Sequence, residues 1–153
     1  PERITTHTVM ENFERRFLLH VPSSTENLAL IRDFVGNIGK QAGLQDSELS
    51  MIELAVDEAC SNVIEHAYGL DQTKEVIVRA RLDSDAITIE VIDTGKGFDP
   101  GVIEQKDVKR LMAERRSGGL GMRMMKLVMD EVQYQMKPGE RNELKMVKRL
   151  KKE

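Results

Sequence analysis

Cysteine is almost missing from this chain. Cys60 is the only one, so no intrachain disulfide can form, and a reducing cytoplasmic setting is the expectation. Aromatic residues are also scarce, at 4% of the sequence. The basic residues near the C-terminus, Lys145, Lys148, Arg149, Lys151 and Lys152, therefore have no interleaved rings on which bases could stack. They alternate with apolar residues and are expected to form a solvated strand face and tail, with no direct contact to nucleic acid. An excess of one charge is missing too. Against 23 basic residues stand 26 acidic ones, a net charge of −3, so any anionic ligand must be held locally. No apolar run is long enough to span a membrane, and no signal-peptide pattern opens the chain. Internal repeats and low-complexity tracts are absent as well. With 153 residues and 40% apolar content, one domain with one core is expected over residues 1–153, with residues 1–12 as a flexible lead-in. Cys60, set among Val56, Ala59 and Val63, reads as part of that core.

The periodicities that are present define a short list of elements. Arg16 to Val21 reads as a strand stopped by Pro22. Ser23 or Ser24 then offers a cap for a helix with Leu28, Ile31, Val35 and Ile38 at helical spacing, ended by Gly43. Asp46 or Ser47 is expected to cap a second helix, whose core stripe is Leu49, Ile52, Val56, Ala59 and Val63 and which Gly69 closes. Val76, Val78 and Ala80 alternate in one strand, Asp83-Ser84-Asp85 turns the chain, and Ile87, Ile89 and Val91 alternate in the next. A third helix is expected from Gly119 towards Asp130. Strands near Glu131–Met136 and Leu144–Leu150 then flank Pro138-Gly139. Strands and helices do not alternate, so a Rossmann fold is excluded. The order predicts a two-layer α/β sandwich of the α+β kind, with a mixed, mostly antiparallel sheet and about three helices on one face.

Three polar features stand out against this frame. Glu58, Asn62 and His66 recur one turn apart along one flank of the second helix's apolar face. Asparagine is a poor mid-helix residue and needs a reason to be there. A carboxylate and an amide so placed can share a hydrated Mg2+. Glu53, Asp57 and Glu65 read as solvated charges. Asp93 closes a strand just before Gly95 and Gly97, which let backbone approach a ligand with no Cβ in the way. The run Ser117-Gly118-Gly119-Leu120-Gly121-Met122 opens the third helix, offering unblocked N–H groups and the positive end of the helix dipole to phosphates. Between the two glycine segments, Thr94 to Ser117 is long for a connection in a compact domain. It reads as a lid over nucleotide or as a plain surface loop. In this order the three features describe a nucleotide pocket that is not a P-loop.

These residues resemble a known family. Glu58-Ala59-Cys60-Ser61-Asn62 with Glu65-His66-Ala67-Tyr68 is similar to the N-box of the GHKL (Bergerat-fold) ATPases, Asp93-Thr94-Gly95-Lys96-Gly97 to the G1 box, and Gly118-Gly119-Leu120-Gly121-Met122 to the G2 box. With the run Met129 to Val132, the wording is nearest that of the small anti-sigma-factor serine kinases of the RsbW type, from about Phe17 to Leu150. The resemblance implies ATP and Mg2+ as cofactors, Asn62 as Mg2+ ligand and Glu58 as general base. It also implies that Asp93 accepts from the adenine amino group, and that Gly95, Gly97, Gly119 and Gly121 shape the pocket. As partners it implies a serine-bearing STAS-domain antagonist, a sigma factor and a second copy in a homodimer. Two departures matter: Arg141-Asn142-Glu143-Leu144 stands where the family often has a Gly-Thr pair, and the lid carries Lys106, Lys109, Arg110, Arg115 and Arg116 instead of threonines. Two other readings stay open: a non-catalytic, nucleotide-dependent anti-sigma-like binding module, and the catalytic domain of a histidine kinase.

Overall fold

The computed structural model describes residues 14–97 and 122–151. Strand β1 is Arg15–Pro22, helix α1 Leu28–Gln41, helix α2 Asp46–Asn62, strands β2 and β3 Glu75–Leu82 and Ala86–Asp93, helix α3 Met122–Val128, and strands β4 and β5 Glu131–Lys137 and Arg141–Arg149. The sheet order is β1-β2-β3-β5-β4. Val76, Val78, Ala80 and Leu82 of β2 lie beside Ile87, Ile89 and Val91 of β3 and Leu144 and Met146 of β5 on one face. Ile31, Val35 and Ile38 of α1, Ile52, Val56, Ala59 and Cys60 of α2 and Met125 and Val128 of α3 join them in one core. Period-2 strands and period-3.6 helices thus meet in two layers, as expected.

Among the described residues every strand pairing is antiparallel, and the parallel pair allowed for by a mixed sheet is not found there. The reason is the position of β5. The chain leaves β3, crosses over by way of α3 and enters β4 in the same direction as β3. β5 then returns between the two, and each parallel neighbour is separated by an antiparallel one.

Several local expectations shift. Neither Ser23 nor Ser24 makes a cap bond; Ser24 precedes a 3₁₀ turn, Thr25–Asn27, while Ser23 Oγ donates to the Asp71 carbonyl at 2.5 Å. Gln45, not Asp46 or Ser47, is the cap residue of α2, and its backbone N–H points at Glu48 Oε1. Gly43 does end α1: with φ +79 it lets its own N–H and that of Leu44 reach the carbonyls of Lys40 and Gly39. Asp57 and Glu53 are not simply solvated. Asp57 pairs with Arg32 of α1, and Glu53 lies over Gly36, where a Cβ would meet its Oε1 at 2.2 Å. Lys148 is half-buried and donates to the Val128 carbonyl at the C-terminal end of α3, so the basic strand is more than a solvated face.

Candidate active site

Helix α2 carries Glu58, half-buried, and Asn62, 3% exposed, one turn apart on its last two turns. The α-helix stops at Asn62, earlier than the expected end at Gly69. A π-turn, Val63–Ala67, follows, closed by the Tyr68 N–H donating to the Val63 carbonyl at 2.9 Å. The wider π-turn lies between Asn62 and His66, so the spacing of His66 from the Glu58–Asn62 pair is set by i→i−5 and not by i→i−4 bonding. His66, half exposed, sits on the π-turn with Glu65 Oε2 3.9 Å from its Nε2.

What the π-turn supplies is a docking edge for the segment after β3. The Ala67 carbonyl accepts from the Lys96 N–H at 3.0 Å. Buried Tyr68 donates its hydroxyl to the Glu75 carbonyl at 2.5 Å and accepts from the Thr94 N–H at 3.1 Å. Gly95 is required by closeness: a Cβ there would lie 2.4 Å from the Ala67 oxygen and 2.7 Å from its carbonyl carbon.

Asp93 ends β3 with 3% exposure, opposite Asn142 of β5. One carboxylate oxygen, Oδ1, accepts from the Gly95 N–H at 2.8 Å and from Asn142 Nδ2 at 2.9 Å. Asn142 Nδ2 also donates to the Gly95 carbonyl at 2.9 Å, and that carbonyl takes a further bond from the Gly139 N–H. Burial pushes the Asp93 carboxyl above the usual aspartate range; the Asn142 and Gly95 bonds pull against it. Asn142 is 1% exposed, and its Oδ1 has no partner among the described residues.

The proposed site residues therefore fall into two groups. Glu58, Asn62, His66, Asp93, Gly95 and Gly97 come from α2, its π-turn and the end of β3, joined by the bonds above. Met122 opens α3. Ser117, Gly118, Gly119, Leu120 and Gly121 lie outside the described residues, as do positions 98–117 of the expected lid and the lead-in at 1–12. Asn142 was marked by sequence only as a departure from a Gly-Thr pair. Its place beside Asp93 depends on strand register, and a buried asparagine at the start of a terminal strand is the one signal that could have found it.

A family model described as a histidine kinase-like ATPase domain matches residues 21–148, which include the whole of this network. The chain belongs to that family. The serine-protein kinase RsbW of Bacillus licheniformis is 33% identical over 123 residues, covering 77% of this chain and 76% of that protein. RsbW of Bacillus subtilis (strain 168) is 30% identical over 131 residues, covering 82% and 81%. A chain of the SiaB–SiaC complex from Pseudomonas aeruginosa has the same fold, with a TM-score of 0.61 over 95% of both chains at 15% identity.

Among the described residues no three His, Cys, Asp or Glu side chains gather into a metal cage. A bound Mg2+ would keep its waters and be held by one or two protein oxygens together with phosphates. The Asn62 carboxamide is a hard oxygen donor of this kind. ATP fits as well: the buried Asn142 oxygen beside Asp93, which has no partner among the described residues, can accept from a polar ligand or a water.

Proposed function

We propose that this chain is an ATP- and Mg2+-dependent serine kinase of a partner-switching system, transferring the γ-phosphoryl group to a serine of a STAS-type antagonist and binding a regulatory partner such as a sigma factor. The observation that carries the proposal is the held Asp93 carboxylate, bonded through Gly95 and Asn142 and tied to the turn that ends the Glu58–Asn62 helix, in a chain 33% identical to a serine-protein kinase. Asp93 orients the base. Glu58 takes the proton from the acceptor serine as its oxygen forms the new P–O bond and the bond to ADP breaks. Asn62 would hold Mg2+, whose charge, when bound, offsets that of the phosphate oxygens. Helix α2 positions both residues one turn apart, and Arg32–Asp57 and Glu53 fix that helix against α1. Cytoplasmic location and a homodimer complete the reading; no helix among the described residues is long and apolar enough to cross a membrane.

The test separates turnover from binding. Glu58→Gln should lower phosphoryl transfer by about 10²–10⁴ while ATP affinity stays close to wild type. Asn62→Ala should instead weaken Mg2+-dependent ATP binding itself. Transfer of labelled phosphate to STAS-domain proteins, with calorimetry for affinity, distinguishes the two. Wild-type transfer in both variants would refute the assignment. Nucleotide-dependent partner binding with no transfer by the wild type would mark a binding module instead.

A further inference from the structure

The Asn142 carboxamide has its orientation forced on it. Both Nδ2 hydrogens are committed, one to Asp93 Oδ1 and one to the Gly95 carbonyl, each at 2.9 Å. Turning the amide over would set its oxygen against the Asp93 carboxyl and the Gly95 carbonyl oxygen at hydrogen-bonding distance, and the second of these contacts no proton could relieve. Oδ1 is thus the atom turned away from Asp93 and the Gly95 carbonyl. It is buried, it can only accept, and it has no partner among the described residues. Gly97 keeps a side chain away from it: a Cβ there would come 3.5 Å from Oδ1 and from Pro138 Cγ and 3.8 Å from Met136 Sδ, and its φ of +76 disfavours any side chain. On Asp93, Oδ1 takes both internal bonds, so Oδ2 is the oxygen left to a ligand. Asp93 and Asn142 are cross-strand partners. Together they offer a base two acceptors and no donor.

Purine edges differ in what they can give such a pair. Adenine offers its amino group beside ring N1, a donor next to an acceptor. Guanine offers ring N1–H beside its 2-amino group, two donors in a row. We propose that Asn142 is a specificity-determining residue of this site and that its acceptor admits guanine nucleotides alongside adenine nucleotides. The proposal rests on the nucleotide-binding reading given above. Guanine meets Asp93 through N1–H and Asn142 Oδ1 through its 2-amino group. Adenine meets Asp93 through its amino group, and its N1 reaches Oδ1 only across a water that donates to both.

Competition of ADP and GDP against a fluorescent ADP analogue, with Mg2+ present, reads this directly in the wild type, Asn142→Leu and Asn142→Thr. In the wild type GDP should bind within about tenfold of ADP, the span of a single neutral hydrogen bond. Asn142→Leu removes the acceptor and should raise the GDP-to-ADP Kd ratio by roughly 10–100-fold, whatever it does to overall affinity. Asn142→Thr keeps an oxygen there and should hold the ratio near wild type, a rescue that general loosening would not give. If Asn142→Leu does not fold, Asn142→Val serves the same comparison. A wild-type ratio above roughly 1,000, beyond what one hydrogen bond can account for, or a ratio that Asn142→Leu leaves unchanged, overturns the proposal while ADP binding keeps the kinase reading standing. A folded wild type that binds neither nucleotide overturns both.

Discussion

Asp93 is asked to stay ionised at a place where burial resists it, and the consequences separate its role in binding from its role in the fold. Its carboxyl is held above the ordinary range, chiefly by desolvation. Such a group favours the folded state most when protonated: its contribution is complete below the unfolded-state value, about 3.9, and is lost as pH rises through the raised value. Asp93→Asn should therefore be as stable as wild type at neutral pH or more so, because an amide oxygen still accepts from Gly95 and Asn142. Denaturant melts of the mutant should also show a flatter profile over that pH window. ATP affinity should fall by about one to two decades, since a charged acceptor contributes roughly 1.5–3 kcal/mol. Calorimetry on the folded mutant showing unchanged affinity would remove Asp93 from the site. A mutant weaker in fold at neutral pH would mean that the charge itself supports the structure.

Among the elements, the π-turn and the segment after β3 meet backbone to backbone. Gly95→Ala should cost about 1–3 kcal/mol, because its methyl would press on the Ala67 backbone, which has no rotamer to give. Urea melts read that cost. Tyr68→Phe should cost about 1–3 kcal/mol as well, leaving the Glu75 carbonyl and the Thr94 N–H without the hydroxyl that joins them. Stability within error of wild type in both would sever the proposed link between α2 and the Asp93 segment. These elements also show what sequence could and could not disclose. The β2–β3 hairpin was legible because alternation and Asp83 sufficed: the Asp83 side chain accepts from the Asp85 and Ala86 N–H groups, as a turn-forming aspartate should. The π-turn was not, since a shift from i→i−4 to i→i−5 bonding leaves the apolar spacing almost unchanged, and Val63, Ile64 and Ala67 are buried either way. Glu58, Asn62 and Asp93 could be named from local pattern alone. Asn142 could not, because only the register of β3 on β5 sets it against a residue 49 positions earlier.

For the whole molecule, Cys60 is a built-in reporter. It is fully buried, and desolvation, aided by the Asp57 charge, pushes its thiol pKa far above the ordinary range. Thiol reagents should reach it only when the domain opens, so labelling should track global stability. Saturating nucleotide at about 100 times its Kd should slow labelling about 100-fold, the equivalent of roughly 2.7 kcal/mol. Labelling at the rate of a free thiol, or indifferent to bound nucleotide, would show that α2 separates from the sheet without disturbing the pocket. The strands were legible at this scale because apolar residues alternate along them, as in β2, although central β3 is buried on both sides. Their all-antiparallel pairing was not, because nothing in β5 alone announces that it slides between two strands already made.

That late insertion has a consequence for how the protein is born. A ribosome releases the residues of β3 well before those of β5, and Asp93 precedes Asn142 by 49 positions. At about 5–20 residues per second, the nascent chain carries β3 with one edge bare for roughly 2–10 s, and for that time Asp93 waits without its amide. Until the final strand arrives, Asp93 lacks its cross-strand amide, and the proposed base floor is unfinished.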